Sequence, residues 1–576
     1  MKKLLGIALT IFACGAISAQ TIAPELPDFP HTPLSAEEIS KIVSDNSQKS
    51  WEDLAKSARI KAEDAALKQF YPDAASWIYT AFAAELFAKE GSDLQPELKA
   101  AILKDLPAFF DFYESIRPED SLSGACAALK TIFGIYPIAA QKYLRSAFAV
   151  SLIYDSLPPG GWPECNVPSN PAPITQPEEM FNFFMEEPQT FILPFDRMTV
   201  GELVFVFGIA GPMDELRGLK NEKITPFIIE KLTQSIKTDT KRLKGRQELP
   251  WDDAEGPYTP ENIRKRGGLD ADKVYYAWRV ANANGIPCLY FSERTGGKVY
   301  SWLWYMSRPG IWKTDIARDP AAKSLYGRPL NPQTWKNVEL SDLLLCSKRH
   351  LVTPNGAISM AFFRLSELFF AKDDYSNAAF FADMAKKENP ENWKAYGAYI
   401  SAKARSGAPS SELDVLWRRS YEAFRKYPDI CMNMLNKYRA NLGLRRRQKE
   451  ADRLFIAEMR TVMRVDPGFG IDSYSKQLRG LFANLEDKSE MFPIYQDVLR
   501  NCSSCPDECF NKIVSPLAEL FSDDGDAKSA QRVISMFSSS LRQDDAVLKK
   551  SAQALYDKYE PPRSKKARAE LEDFKF

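Results

Sequence analysis

The chain has 576 residues, which is too many for one hydrophobic core and predicts about three or four domains. Charged residues make up 26% of it and hydrophobic residues 45%, an ordinary globular balance that excludes long disorder. Lysine plus arginine equals aspartate plus glutamate at 76 each, so no net charge favours nucleic acid or an anionic membrane as the partner.

The first segment, residues 1–19, has the features of a bacterial secretory signal peptide. Two lysines precede an apolar run over 4–16, and Ser18 and Ala19 predict cleavage after residue 19. The run is too short to span a membrane, and no later segment is apolar for long enough. We therefore expect a periplasmic, extracellular or cell-surface protein without a membrane span. Lipidation at Cys14 is the alternative to ordinary cleavage.

A Pro-rich leader over 20–34 precedes a region with helical periodicity, 35–156, which we expect to be a helical domain. Ser35 and Glu38 have the spacing of a capping box, followed by an apolar stripe at helical spacing. Further helices are predicted over 75–89, 98–116 and 125–154. The sequence of this domain indicates no function.

Residues 157–250 are predicted to connect the helical domain to the next one. Prolines are dense between Pro158 and Pro177 and exclude a helix there. The apolar run 202–208 then predicts a buried strand, and 225–243 predicts a long helix.

The most specific pattern lies in residues 251–345. Its landmarks, in chain order, are Arg-Gly-Gly-Leu-Asp-Ala-Asp-Lys at 266–273, a helix predicted over 274–284, Gly-Ile-Pro at 285–287, a strand from Cys288, a second strand over 299–306, and a closing segment at 310–315. This order resembles the core of bacterial transglutaminase-like proteins. The resemblance implies a papain/transglutaminase-like α/β (α+β) core and a Cys-His-Asp triad.

In this chain the triad positions carry Asp270, Tyr300 and Asp315, so the thiolate nucleophile and the histidine base are both replaced. The acyl transfer of that family is therefore excluded, and no catalytic residue is expected. A carboxylate in the first turn of a helix accepts backbone N–H groups and contributes about 1 kcal/mol. We expect Asp270 to have this structural role.

A degenerate core can retain a substrate groove without the chemistry. The candidate binding residues are Trp302, Trp304, Trp312, Arg266 and Asp272. Alternation along the strand also predicts that the tryptophans pack in the core. The alternative function is a carboxylate-dependent hydrolase of glycan or peptide. It requires Asp270 and Asp315 in one open cleft, about 5–10 Å apart.

Residues 346–560 carry a repeat, and a charged tail follows at 561–576. Prolines at 390, 428, 467 and 506 are separated by 38, 39 and 39 residues, a period typical of helical hairpins, and we expect each to stand in a turn at a helix end. The first unit resembles the tetratricopeptide pattern through Phe362, Leu365, Ser366, Phe369, Tyr375, Ala378, Ala385 and Pro390. We expect tetratricopeptide-like repeats, with an irregular helical array as the alternative.

Cysteine and histidine limit the chemistry further. The triplet Cys502, Cys505 and Cys509 lacks a fourth zinc ligand nearby, so we expect a local disulfide with one longer-range partner, and no metal or cofactor. Redox activity of the Cys502/Cys505 pair is the alternative. Only two histidines occur, His31 and His350. Arginines 445–447 are a candidate part of a binding surface, or simply a solvated helix face.

Taken together, these patterns predict a multidomain, mainly α protein with an α/β core and a C-terminal α-solenoid. We expect an exported, non-catalytic binding or scaffold protein. Its expected partner is a protein, peptide or polysaccharide of the cell envelope, and not a nucleic acid.

Overall fold

The computed structural model describes residues 29–156, 176–209, 212–220, 224–244, 247–295, 298–327, 329–338, 353–483, 485, 490–542 and 545–559. Several predictions lie outside these residues: the signal peptide with Cys14, most of the leader and of the Pro-rich connector, His350, Cys165, Cys346 and the charged tail. None of the described helices is long and apolar enough to cross a membrane. The protein is mainly helical, with a small antiparallel sheet.

Residues 36–153 form eight helices. They are α1 (Ala36–Asp45), α2 (Gln48–Leu67), α3 (Tyr71–Ala88), α4 (Pro96–Lys104), α5 (Leu106–Ser115), α6 (Leu122–Ile135), α7 (Pro137–Lys142) and α8 (Leu144–Ile153). The capping box is confirmed, because the Ser35 hydroxyl accepts the Glu38 N–H at 3.2 Å and the Ser35 N–H donates to the Glu38 carboxylate at 2.7 Å.

Two of the helices predicted in this region are interrupted. The helix predicted over 98–116 breaks at Asp105, which has a non-helical backbone just before the first turn of α5. The helix predicted over 125–154 breaks at Pro137, which has no N–H to continue the ladder and instead opens α7.

The connector contains α9 (Pro177–Met185), α10 (Val200–Phe207), α11 (Met213–Lys220) and α12 (Ile229–Ser235). The strand predicted over 202–208 is wrong, since these residues lie in α10. A capping box starts this helix, with the Thr199 hydroxyl accepting the Glu202 N–H at 3.1 Å. The helix is buried on nearly all sides, so its sequence has no polar face. Such a continuous apolar run is the pattern that a buried strand also shows.

The long helix predicted over 225–243 is also wrong. A 3₁₀ turn occupies Pro226–Ile228, and α12 ends at Ser235. Beyond it, the backbone is held by tertiary pairing: the Gly268 N–H donates to the Lys237 carbonyl at 2.9 Å, and the Asp239 N–H donates to the Gly268 carbonyl at 3.2 Å. This pairing replaces the helical hydrogen bonds of the segment.

The strands and the two helices between them follow. They are β1 (Leu243–Lys244), β2 (Gln247–Glu248), α13 (Pro260–Arg266), α14 (Asp270–Ala283), β3 (Cys288–Thr295), β4 (Lys298–Arg308), β5 (Ile311–Ile316), β6 (Leu330–Asn331) and β7 (Lys336–Asn337). Strands β3, β4 and β5 form an antiparallel sheet in chain order, with Phe291 opposite Trp302. We call α14 and this sheet the sheet module.

The sheet is covered on both faces. Tyr290, Leu303 and Tyr305 belong to the hydrophobic cluster that α14 shares with the N-terminal helices. Phe291 and Trp302 belong to a second cluster, formed with the C-terminal helices. Because residues opposite each other in the register share a face, this division follows from the alternation along β3 and β4.

The described residues between 354 and 558 form a helical solenoid. It comprises α15 (Pro354–Phe370), α16 (Tyr375–Glu388), α17 (Trp393–Arg405), α18 (Ser410–Ala423), α19 (Pro428–Leu444), α20 (Gln448–Val465), α21 (Pro467–Ala483), α22 (Met491–Asn501), α23 (Pro506–Cys509), a π-helical turn (Phe510–Val514), α24 (Ser515–Asp523), α25 (Ala527–Ser540) and α26 (Ala546–Lys558). Neighbouring helices pack against each other along the chain. Pro428, Pro467 and Pro506 open helices instead of standing in turns, since a first helical position needs no N–H.

The helix pair α15–α16 has the close packing that its small residues predict. Ala378 and Ala385 are fully buried, and each offers its backbone carbonyl to a serine of the facing helix. The Ser366 hydroxyl donates to Ala378 at 2.8 Å, and the Ser359 hydroxyl donates to Ala385 at 2.7 Å. These bonds are formed only because the alanines let the two backbones approach.

The hairpin α2–α3 packs onto the pair α15–α16. Tyr71, at the start of α3, contacts Phe362 edge-to-face with ring centroids 5.0 Å apart. Lys372, just after α15, forms an ion pair with Glu63 of α2. The N-terminal hairpin therefore extends the solenoid, and the sheet module lies between the two parts of it in sequence.

Candidate functional site

Asp270 begins α14, but it does not cap the helix. Its side chain is 68% exposed and accepts from the Lys273 ammonium at 3.2 Å. The carboxylate that accepts the Leu269 N–H, at 2.7 Å, belongs to Asp272. The capping role predicted for Asp270 is therefore taken by the aspartate two residues later, because that one faces inward.

Asp272 is the centre of a buried polar cluster. One carboxylate oxygen accepts from Leu269 and from the guanidinium of Arg242, and the other accepts the Tyr258 hydroxyl at 3.0 Å. The side chains of Arg242 and Asp272 are only 10% and 4% exposed. Burial and the neighbouring carboxylate raise the pKa of Tyr258, which keeps the phenol a donor. Asp272, predicted as a binding residue, therefore uses both carboxylate oxygens in contacts within the protein.

Arg266 is likewise held within the protein. Its guanidinium lies 4.1 Å from the ring centroid of Trp251 and forms an ion pair with Glu255 at 2.7 Å. Arg242 lies over the same ring at 5.2 Å. Two guanidinium groups on one indole ring hold the end of α13 in place, so the contacts of Arg266 are those of a structural residue.

Trp302 and Trp304, both on β4, face the solenoid. Trp302 is 1% exposed and stacks on Phe291, with ring centroids 5.5 Å apart. Trp304 is 8% exposed, and Trp312, on β5, is partly buried and contacts Phe205 edge-to-face. These three predicted binding candidates pack in the interior, as their alternation along the strands indicates. Only Tyr300, nearer the start of β4, lies at an open surface.

Asp315 lines a cavity of about 310 Å³ between the sheet and the solenoid, together with Trp302, Trp304 and Asp466. Its carboxylate accepts from Arg318 at 2.8 Å. Burial raises the pKa of Asp466, and the charge of Asp315 adds to the effect. Asp270 does not line this cavity. The two carboxylates that the hydrolase alternative requires therefore do not share this cavity.

A larger groove of about 990 Å³ opens between the sheet module and helices α20, α22 and α23. Tyr300, which the sequence resemblance puts at the histidine position, lies on its module side. Its basic lining residues are Lys298, Lys323, Arg460, Arg464 and Arg500. Asp507 and Glu508 are the acidic residues of the lining. The groove is therefore predominantly cationic.

Sequence reasoning missed the arginines of this groove. Arg460 and Arg464 lie one turn apart on α20, and neither has an acidic residue three or four positions away along the helix. The missing acidic neighbours could have been recognised in the sequence, because an Asp or Glu three or four positions away commonly pairs with an arginine on a helix surface. The arginines 445–447, the candidate binding surface in the sequence, have acidic partners: Arg445 and Arg447 both form ion pairs with Asp414, at 2.9 and 2.6 Å.

The six described cysteines are all free and buried: Cys126, Cys288, Cys431, Cys502, Cys505 and Cys509. The local disulfide predicted in the 502–509 segment is therefore wrong. Cys502 and Cys509 instead share a thiol hydrogen bond, and burial raises the pKa of Cys505 to about 11. Burial also raises the pKa of Cys288, which disfavours the nucleophilic thiolate form of this side chain. The described residues contain no group of three or more metal-ligating side chains.

Comparison with protein-family models and with curated proteins finds no match to this sequence. Among solved structures, the crystal structure of the yeast Tom70 is similar at 12% sequence identity and a TM-score of 0.21. That similarity covers 88% of this chain and 95% of the Tom70 chain. At such a TM-score it carries no argument about the fold or the function of this protein.

Proposed function

We propose that this protein is an exported bacterial scaffold that binds a partner of the cell envelope in the groove between its sheet module and its solenoid. The observation that carries the proposal is the groove itself. It has a volume of about 990 Å³, at the upper end of the range for ligand sites, and side chains from two distinct parts of the chain converge on it.

The sheet module supports a non-catalytic role. Helix α14 followed by β3, β4 and β5 is the order that the resemblance to transglutaminase-like cores implies, and we propose that the module is a degenerate core of this kind. Asp270, Tyr300 and Asp315 provide no thiol nucleophile and no imidazole base. Cys288, the cysteine at the start of β3, is buried beneath α14. Binding without acyl transfer is the activity that these residues permit.

The solenoid supports a role in binding proteins or peptides. Repeated helix pairs expose long surfaces whose residues vary while the packing between helices is kept. In α15–α16 the packing residues are buried, and large side chains such as Phe380 remain exposed on the outside. We therefore favour a protein or peptide partner over a polysaccharide.

The proposal is tested by photo-crosslinking from the groove in the full chain. Benzoylphenylalanine at Ser503 or Asn511, both exposed in the groove, is expected to capture a discrete partner from a cell-envelope fraction. The same group at Lys476, exposed on α21 and outside the groove lining, is the matched control and is expected to capture none. Equal capture from both surfaces, or from neither, would contradict a binding role for the groove.

A further inference from the structure

The groove has more positive charge than its own carboxylates can balance. Within the part of the chain that the structure describes, the hydrogen-bond partner of Arg460 is a neutral group, the side-chain amide of Asn501, at 3.5 Å. Arg464 and Lys323 have no carboxylate within ion-pairing distance among the residues that the structure describes. These three side chains are exposed and line the same groove from opposite sides.

Several arginines elsewhere on the solenoid have a carboxylate partner on another part of it. The pairs are Arg425 with Glu458, Arg439 with Asp452, and Arg445 and Arg447 with Asp414. Arg460 and Arg464 have no such partner among the described residues, and both line the groove.

Of the two carboxylates in the groove lining, Glu508 does little to offset this charge. Glu508 is buried and accepts from the Ser324 hydroxyl at 2.7 Å. Burial raises the pKa of Glu508, so its negative charge is disfavoured. Arg460 and Arg464, one helical turn apart, repel each other, and an anion placed between them and Lys323 relieves that repulsion.

Given the proposed binding role, on which this step rests, we infer that the groove takes an acidic, extended peptide segment of the partner. Carboxylate side chains match Arg460, Arg464 and Lys323 in charge. Hydroxyl and amide groups of Ser503 and Asn511, also in the lining, suit the polar backbone of a peptide. A polysaccharide site is favoured by several aromatic faces to stack on, and Tyr300 is the single aromatic side chain among the described residues of the lining.

The test uses the full chain and a fluorescent peptide of about eight residues that alternates glutamate with serine and glycine. Its glutamine counterpart is the uncharged control, and an oligogalacturonate of similar length and charge is the glycan control. Fluorescence anisotropy measures binding at about 50 mM and about 200 mM salt, because charge-driven binding weakens as screening increases. We expect the glutamate peptide to bind about tenfold more tightly than the glutamine peptide at the lower salt.

The variant Arg460→Gln/Arg464→Gln is expected to weaken binding of the glutamate peptide about tenfold. The variant Lys476→Gln/Arg479→Gln removes the same charge from exposed positions of α21 outside the groove and is expected to change it less than about twofold. Equal losses in both variants, equal affinity for the two peptides, or tighter binding of the oligogalacturonate would overturn the inference. Any of these results together with groove-specific photo-crosslinking would leave the binding function intact and assign the groove a different ligand.

Discussion

Replacement of Asp272 by asparagine is expected to destabilise the sheet module strongly. The side chain is buried against Arg242, whose guanidinium otherwise contacts the carbonyl of Leu249 and the ring of Trp251. Asparagine has the same shape and retains one acceptor oxygen for the Leu269 N–H or the Tyr258 hydroxyl. It removes the negative charge, so the guanidinium is left buried without its counter-ion.

Breaking a buried ion pair by removing one partner costs about 3–5 kcal/mol, and the retained hydrogen bond places Asp272→Asn near about 3 kcal/mol. Asp270→Asn is the matched control, two residues earlier on the same helix. The Asp270 side chain is 68% exposed and forms a single surface ion pair with Lys273. Pairs of that kind contribute about 0–1 kcal/mol, so the control variant is expected to change stability by less than about 1 kcal/mol.

Native-state hydrogen exchange of the full chain, read on peptides that cover α14, reports local opening without requiring two-state unfolding. A loss of about 3 kcal/mol accelerates exchange through that opening about 100-fold. Equal protection of α14 in Asp272→Asn and in Asp270→Asn would refute the reasoning. It would also make Asp272 a candidate for ligand binding again, because replacing a residue that serves only to bind a ligand leaves the stability of the fold unchanged.

Three further perturbations test the packing and the titration of the protein. Ala378→Leu is expected to cost about 1–3 kcal/mol in thermal unfolding, because the fully buried alanine faces the α15 backbone; an unchanged melting temperature would contradict the close approach. Gly327→Ala is expected to cost about 2–4 kcal/mol by the same measurement, since φ is +57° and the added Cβ lies 2.3 Å from the ring of Trp302; a stabilised variant would contradict the clash. Burial raises the pKa of Asp120 to about 6, above its unfolded value, so its stabilising contribution is present below pH about 4 and is lost as pH rises through 6. The free energy of urea unfolding of the wild type, minus that of Asp120→Asn, is therefore expected to fall by about 1–2 kcal/mol between pH 4 and pH 7, less than the full shift implies because the side chain is partly exposed to solvent. A pH-independent difference would contradict the raised pKa.

The elements that sequence predicted best are those with local start and stop signals. Helix α14 and the strands after it follow from the Gly-Ile-Pro at 285–287, where Gly285 adopts a φ of +71° to end the helix. The capping box at Ser35 and the small residues of α16 are similarly local. Each is decided by residues within a few positions of one another, so a single sequence is enough to recognise them.

Tertiary contacts decided the elements that were predicted wrongly. The run 202–208 is apolar on every side because α10 is buried on nearly every side, and a helix without a polar face has no readable period. The segment after Ser235 leaves the helix because its backbone pairs with Gly268, about 30 residues later in the chain. No local pattern specifies that pairing.

The candidate site shows the same limit. Asp270 and Asp272 are both acidic residues in the first turn of α14, and sequence alone does not distinguish the one that faces inward. Asp272 is the inward-facing one because Arg242 and Tyr258, from earlier parts of the chain, donate hydrogen bonds to its carboxylate. The groove is formed by residues near 300, 323 and 460–511, so its charge becomes visible only when these segments are brought together.

The packing of the α2–α3 hairpin onto α15–α16 has a consequence for how the protein is made. The ion pair between Glu63 and Lys372 joins residues 309 positions apart. At about 5–20 residues per second, the ribosome needs roughly 15–60 s to deliver the second residue after the first. During that interval the apolar edge around Tyr71 has no native surface to cover it. The N-terminal hairpin is therefore accessible to a chaperone throughout that interval.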